Sequence, residues 1–488
     1  MQLPIVTPAP VVVAHAGVFR SLFDNKRQFR HFENYLTGLM VLSNKSMANI
    51  CRCTAQSADK TNLSRFLSEA PWLQEQINDR RVEYLLEQTQ PYRFEVKKSC
   101  LILDDTLCEH VGSLFEYIDR HYHHAEDRYP LAHNLVTSHY VSGAVRFPVD
   151  MRLYRRYEEI THWEEFVKKR FPERFTEGLA KNALPTRKKE RQQLHKELDT
   201  YLLQDSEFRA LHEQFQTKIT LSIELLNKAI ERKLPFQVVL MDAWYLSEEL
   251  VALLHEHHLD WVSLLKKNRN LEVASFTLKD ADGEITPLCG PHIQVQELVP
   301  LIPASAYQKI TVEGRDYFCF SLNVCVPKLA KVRLVISFDN PELSGTCAVL
   351  LSNRTDWSAK KIIETYLQRW PIETFYQDSK GHLGLDEYRM RTAEAIQKHW
   401  CLVFVAYSLL HLDCLPASPA EDKKGAMKTT STLSRPIKTI GEACRQQGQA
   451  LIEALILFAH QRLQQGDPAN ELFAKLFTKQ YPVLIPMQ

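Results

Sequence analysis

Residues 235–268 read PFQVVLMDAWYLSEELVALLHEHHLDWVSLLKKN, and their order decides the fold. The apolar run up to Met241 is a buried strand that ends at Asp242. SEELVALLHEHH is a helix, and LDWVSLLKKN is a second strand. Strand, helix, strand in this order implies a parallel crossover and hence an α/β fold.

Upstream, KKSCLILDDT (97–106) is another short apolar run, ending in two aspartates. HNLVTSHYVSG (133–143) and AVRFPVDMRLYRR (144–156) follow, parted by Gly143, which suggests antiparallel pairing. Residues 158–233 are helical and highly charged. Downstream, residues 270–356 alternate as strands: IQVQELV, YQKITVEG, RDYFCFSLNVCV, KVRLVISFD and CAVLLSN. They are expected to form a β-rich insert that does not continue the central sheet. SAKKIIETYLQRWPIETFYQDSK is helical, and EAIQKHWCLVFVAYSLLHL is a buried helix. Residues 415–439, rich in Pro, Ser, Thr and Lys, read as a linker before two last helices.

Residues 18–90 are helical, with Phe29, Phe32, Tyr35, Leu36 and Leu39 at helical spacing. Asp59 is placed to cap KTNLSRFLSEA, which stops before Pro71. Short helices joined by polar turns fit a helix-turn-helix module or a plain helical bundle. MQLPIVTPAPVVVAHAG reads as a loose arm: no basic region precedes its apolar stretch, so it is not a signal peptide.

The 488 residues carry a net charge of +1, and no run is apolar enough to span a membrane. Basic residues are clustered, however, at Arg152, Arg155 and Arg156, at Lys168–Arg170, at Arg187–Lys189 and at Lys266, Lys267 and Arg269. The eleven cysteines lack paired metal-site spacing and fit reduced thiols. HEHH at 255–258 is not zinc spacing, no phosphate-binding glycine loop occurs, and His121, His123, His124 and His133 read as a polar surface loop.

Three acidic residues stand where a metal-dependent phosphoryl-transfer site needs them. Asp105 and Asp242 lie at the C-terminal ends of apolar strands, and Glu373 lies on the late helix. Two hard cations held by two or three carboxylates can serve both oxygens of an in-line displacement. The Glu373 helix carries the pattern Tyr366-x2-Arg369-x3-Glu373-x6-Lys380. On one continuous helix these four fall within an arc of about 60° and span about 20 Å. Arg and Lys suit phosphate oxygens, and Tyr can stack on a base. Leu367 and Trp370 are expected to pack in the core. Pro371 either kinks the helix or starts a new one.

That spacing resembles the YREK motif of bacterial insertion-sequence transposases with DDE active sites. YLQRWPIETFYQDSKGHLGLDEYRMR is similar to that motif through its whole length. LILDDT resembles the family's first-aspartate strand, and VVLMDAWYLSEELVALL its second-aspartate strand and helix. The resemblance spans about residues 95–412. It implies an RNase H-like core interrupted by a β-rich insert between the second aspartate and the glutamate. It implies Asp105, Asp242 and Glu373 as ligands of two Mg2+ ions, with Mn2+ as a substitute, and Tyr366, Arg369 and Lys380 as DNA contacts. Asp105 is preferred to Asp104 because the family's aspartate directly precedes a Thr or similar residue. The expected divisions are a helical DNA-binding region (1–94), the core's first part (95–269), the insert (270–356), the core's final helices (357–414), and a linker with C-terminal helices (415–488).

The function so implied is Mg2+-dependent DNA cleavage and strand transfer at insertion-sequence ends. The partners are double-stranded DNA with terminal inverted repeats and a second copy of the chain, in the bacterial cytoplasm at the nucleoid, away from membranes. The rival readings are an RNase H-like nuclease without strand transfer, a domesticated DNA-binding protein without catalysis, and, more distantly, a carboxylate-pair glycosidase.

Overall fold

The computed structural model describes residues 4–55, 60–123, 126–172, 188–416 and 437–477. Asp59, His124, Arg187 and residues 417–436 of the expected linker lie outside them.

The centre is a ten-stranded mixed sheet. Strands β1 (Cys100–Glu109), β2 (Leu131–Ser142) and β3 (Val145–Tyr154) form an antiparallel meander. Gly143 makes its second turn with a left-handed φ of 64°. Strand β4 (Val238–Met241) pairs parallel to β1, and β5 (Asp260–Leu264) pairs parallel to β4. The helix Glu248–Glu256 crosses between β4 and β5, with Ser247 Oγ accepting from the Leu250 N–H at 3.2 Å to cap it. The order β3-β2-β1-β4-β5 is the RNase H-like arrangement that the resemblance implies.

The expectation that the 270–356 strands stand apart from this sheet is overturned. Strand β9 (Ala348–Ser352) pairs antiparallel with the outer edge of β5. Strands β8 (Ala330–Phe338), β7 (Arg315–Val326) and β6 (Gln308–Val312) then follow outward. An open β5 edge would leave a row of unpaired N–H and C=O groups, and β9 satisfies them. A two-residue strand at Asp119–Arg120 pairs with the start of β2 and completes the ten.

Strand alternation divides the apolar side chains between two cores. On one face lie Cys100, Ile102 and Cys108 of β1 with Val238 and Leu240 of β4. On the other lie Leu101 and Leu103 with Val239 and Met241. The first face is covered by the helices Trp370–Leu383 and Ala393–Asp413, through Ile372, Phe375, Trp400 and Phe404. Burying each such side chain contributes about 1.5–3 kcal/mol.

The N-terminal helices pack into that same core. Phe32, Tyr35, Leu36 and Leu39 of the helix Lys26–Val41 join it, and the Tyr35 hydroxyl meets His399 Nδ1 at 2.9 Å. The N-terminal segment is not a loose arm. Ile5 bridges to Thr54, and Val11 and Val12 are buried on the helix Pro10–His15. Among the described residues no helix is long and apolar enough to cross a membrane, and all eleven cysteines are free.

Candidate active site

The parallel ladder sets the first two carboxylates. Cys100 pairs with Val238 and Leu103 with Met241, an offset of 138 (238 − 100). One step further sets Asp104 beside Asp242. Register neighbours in a parallel pair point to one face, on strands about 4.8 Å apart. Asp104 shares the parity of Cys100 and Ile102, and Asp242 that of Val238 and Leu240. Both therefore belong to the face covered by the Glu373 helix.

Glu373 reaches them through Arg369. The Arg369 guanidinium donates Nη1–H to Asp104 Oδ2 and Nη2–H to Glu373 Oε1, the latter at 3.0 Å. Burial pushes the Asp104 carboxyl up to about 7 in spite of Arg369, and the charges of Asp105, Glu373 and Asp242 push the same way. Asp242 is oriented by the Trp244 N–H, which donates to Oδ1 at 2.7 Å. Tyr366 lies alongside, its ring centroid 5.9 Å from the Arg369 guanidinium. Burial raises its phenol pKa, Arg369 opposes this, and Asp242 and Asp104 add to it.

Asp105, the residue expected to join this group, is not brought to it. It has the opposite parity, with Leu101 and Leu103. Lys218 Nζ donates to its Oδ2 and the Tyr245 hydroxyl to its Oδ1, both at 2.7 Å. Lys218 opens the helix Lys218–Glu231, capped by Thr217, and also sits 5.4 Å from the Tyr154 ring. Both oxygens of Asp105 are thus held on the far side of the sheet from Glu373. Two adjacent strand residues must face opposite ways, so only one could join the group. The signal was in the sequence: aligning LIL-Asp104 with VLM-Asp242 gives each strand one aspartate after its apolar run.

The YREK-like stretch is two helices. The first, Ala359–Leu367, ends at Gln368, and the second, Trp370–Leu383, starts with Pro371 in its first turn. This is the second of the two roles open to Pro371. Across the junction Gln368 and Arg369 keep helical dihedrals with tighter i→i−3 hydrogen bonds, and Trp370 is 66 % exposed instead of packing in the core. Leu367 does pack against the core. Arg369, expected as a DNA contact, holds two carboxylates in this structure. Burial raises the pKa of Asp386 and of Cys108, and Lys380, in the last turn of the second helix, is near enough to both to oppose part of that rise.

Among the described residues, the group of three ligand-type side chains within 4.8 Å of one another is Glu109, His123 and Glu126. Arg128 binds both of these glutamates, so the group reads as an ion-pair cluster. Asp104, Asp242 and Glu373 do not all lie within that distance of one another. The loop histidines are not simply surface residues. His121 and His133 are buried, and His133 Nδ1 meets the Tyr388 hydroxyl at 2.7 Å. The basic cluster at 152–156 is neutralised: Arg152 pairs with Asp150 and Glu224, Arg155 with Glu159, and Arg156 with Asp119 and Glu158.

Comparisons with known proteins give the family. A family model of DDE superfamily endonucleases matches residues 18–283, and one of transposase DDE domains matches residues 216–409. No curated protein matches the chain. The first match covers more than half of the 488 residues and contains Asp104 and Asp242, and the second contains Asp242, Arg369 and Glu373. The chain belongs to the DDE superfamily of endonucleases and is a metal-dependent, DNA-cleaving transposase.

Proposed function

We propose that this chain is the transposase of a bacterial insertion sequence, acting on nucleoid DNA, and that it cleaves element ends and joins them to new DNA. The observation that carries the reading is that the ends of two adjacent parallel strands set Asp104 and Asp242 on the face where Arg369 joins Asp104 to Glu373.

The donor set fits a hard divalent cation. Asp104, Asp242 and Glu373 offer only carboxylate oxygens, and their charge exceeds that of the one guanidinium among them. These three would hold two ions, Mg2+ in the cell and Mn2+ as a substitute. Bound there, the ions would activate the attacking oxygen and stabilise the leaving one. Asp104 takes the place that the family pattern suggested for Asp105. Trp244 fixes the Asp242 carboxylate through its backbone N–H. Arg369 and Lys380 would bind phosphate oxygens of the cut strand, Arg369 through its two-pronged fork. Tyr366, its ring centroid 5.9 Å from the Arg369 guanidinium, would be the third DNA contact of the motif. Water attacks first, and the freed 3′ hydroxyl attacks the target phosphodiester second. Helices in residues 18–90, and Lys266, Lys267 and Arg269 beyond β5, are the candidate contacts to the terminal inverted repeats. Two ends brought together imply two copies of the chain.

The test uses labelled element-end DNA with Mg2+. Glu373→Gln should bind the end and not cut it, while the wild type should give both a nicked end and a joined product. Cutting at the normal rate by Glu373→Gln would overturn the reading. Nicking by the wild type without any joined product would favour a nuclease that lacks strand transfer.

A further inference from the structure

Arg369 occupies an unusual position for a phosphate-binding arginine. Its guanidinium is largely buried and joins two carboxylates that come from distant parts of the chain, Asp104 on β1 and Glu373 four residues along. The side chain is 16 % exposed, and that of Asp104 is 13 %. Arg369 stands between two helices, after Gln368 and before Trp370, with a helical backbone whose N–H donates to the Tyr366 carbonyl at 2.9 Å and whose carbonyl accepts from the Ile372 N–H at 3.2 Å, so the movable part is its side chain. A guanidinium set between two carboxylates keeps them from sharing a cation of higher charge. A DNA phosphate, though tetrahedral, offers two non-bridging oxygens that accept the same paired N–H donors as a carboxylate, and it can compete for that fork.

We propose that Arg369 is a gate on the carboxylate site: its guanidinium bridges Asp104 and Glu373 in the DNA-free protein, and a DNA phosphate must draw it away before both carboxylates can take a divalent cation. This rests on the reading of Asp104, Asp242 and Glu373 as the metal-holding group. The consequence is a linkage. DNA and metal each favour the state in which Arg369 has left the carboxylates, so each raises the affinity for the other. The device would keep the enzyme from loading metal, and so from cutting, away from its substrate.

The test is Mn2+ binding by the full-length chain, followed by calorimetry and by the spin-resonance signal of free Mn2+, without DNA. Arg369→Gln should bind Mn2+ about tenfold more tightly than the wild type, within the range usual for coupled sites. Lys380→Gln removes one unit of positive charge from the helix that follows Arg369 and leaves the bridge in place, and should leave the metal affinity of the DNA-free chain nearly unchanged. Adding end DNA should tighten Mn2+ binding more in the wild type than in Arg369→Gln. If Arg369→Gln does not fold, Arg369→Lys is read in its place. It keeps the charge and loses the fork, so tighter binding supports the gate and unchanged binding overturns it. Mn2+ affinity in Arg369→Gln equal to or weaker than the wild type overturns the gate. An equal gain in Lys380→Gln also overturns it, because general electrostatics would then suffice. Asp104→Asn separates the two levels. If it leaves Mn2+ binding intact, the metal-site reading falls and the gate with it. If it weakens binding while Arg369→Gln does not tighten it, the gate alone falls.

Discussion

The two faces of β1 handle charge in opposite ways. On one, Asp105 has an oxygen on Lys218 and an oxygen on Tyr245, and the group is closed. On the other, Asp104 and Glu373 share one guanidinium, Asp242 is near enough to Asp104 to raise its pKa, and negative charge is left over. Neighbouring residues on one strand thus serve different ends. A balanced carboxylate staples a helix to the sheet, and an unbalanced group is poised for a cation. Surplus charge under burial separates the two kinds of site better than the presence of an aspartate at a strand end.

The sharpest break between the faces is catalytic. Asp104→Asn should lower cleavage of end DNA by about 10²–10³-fold or more, the scale of one preorganised electrostatic contact at a reacting phosphate. Equal cleavage by Asp104→Asn and the wild type would erase the distinction. On the other face the expected effect is on stability. Asp105→Asn leaves Lys218 without its charged partner and should cost about 1.5–3 kcal/mol, the range for a charge-assisted hydrogen bond, in denaturant unfolding. Cleavage at permissive temperature should survive. An unfolding midpoint equal to the wild type would show that the staple carries nothing.

Much of this was legible in the sequence, and the failures have physical causes. The meander and the crossover follow from period-two runs and a helix of known length, and they emerge as read. Asp242 and Glu373 were legible as candidates because each is the lone acid at its strand end or on its helix face. Asp105 was preferred to Asp104 because two aspartates compete at the end of β1, and only the register with β4 shows which of them shares a face with Asp242. The attachment of β9 to β5 was illegible for a related reason: alternation identifies a strand and says nothing of its partner. The pairing of Arg369 depends on Asp104 and on the helix break, so it could not be read before both were known. Val11 and Val12 belong to an apolar stretch too short to show a period, and they are buried nonetheless.

A smaller effect concerns the end of the Glu373 helix. Gly384 closes it at a φ of 72°, and a Cβ there would lie 2.6 Å from Lys45 Cγ. Gly384→Ala should cost roughly 1–2 kcal/mol from the left-handed backbone alone, with more from Lys45. It should also loosen Glu373 against Asp104, so cleavage should fall more than stability predicts. A thermal melt unchanged from the wild type would contradict the strain argument.

The smallest effect lies on the approach to Lys218. In the helix Lys188–Leu202, burial lowers the pKa of His195, but the Asp199 and Glu158 carboxylates, 3.7 and 3.6 Å from its ring nitrogens, outweigh it, and the net shift is upward from 6.5. A raised pKa means that this contribution to stability is complete below about 6.5 and is lost as pH rises through the shifted value. Amide exchange in this helix should therefore quicken as pH rises above neutrality, after correction for intrinsic rates. His195→Gln should flatten that dependence, and an equal slope in both proteins would exclude His195 as its source.

The most direct test of the central claim compares Mn2+ binding by the full-length wild type, Asp104→Asn and Asp105→Asn in one calorimetric series. The account predicts that Asp104→Asn loses binding while Asp105→Asn keeps it at near wild-type affinity. Loss of binding in Asp105→Asn with retention in Asp104→Asn would contradict it.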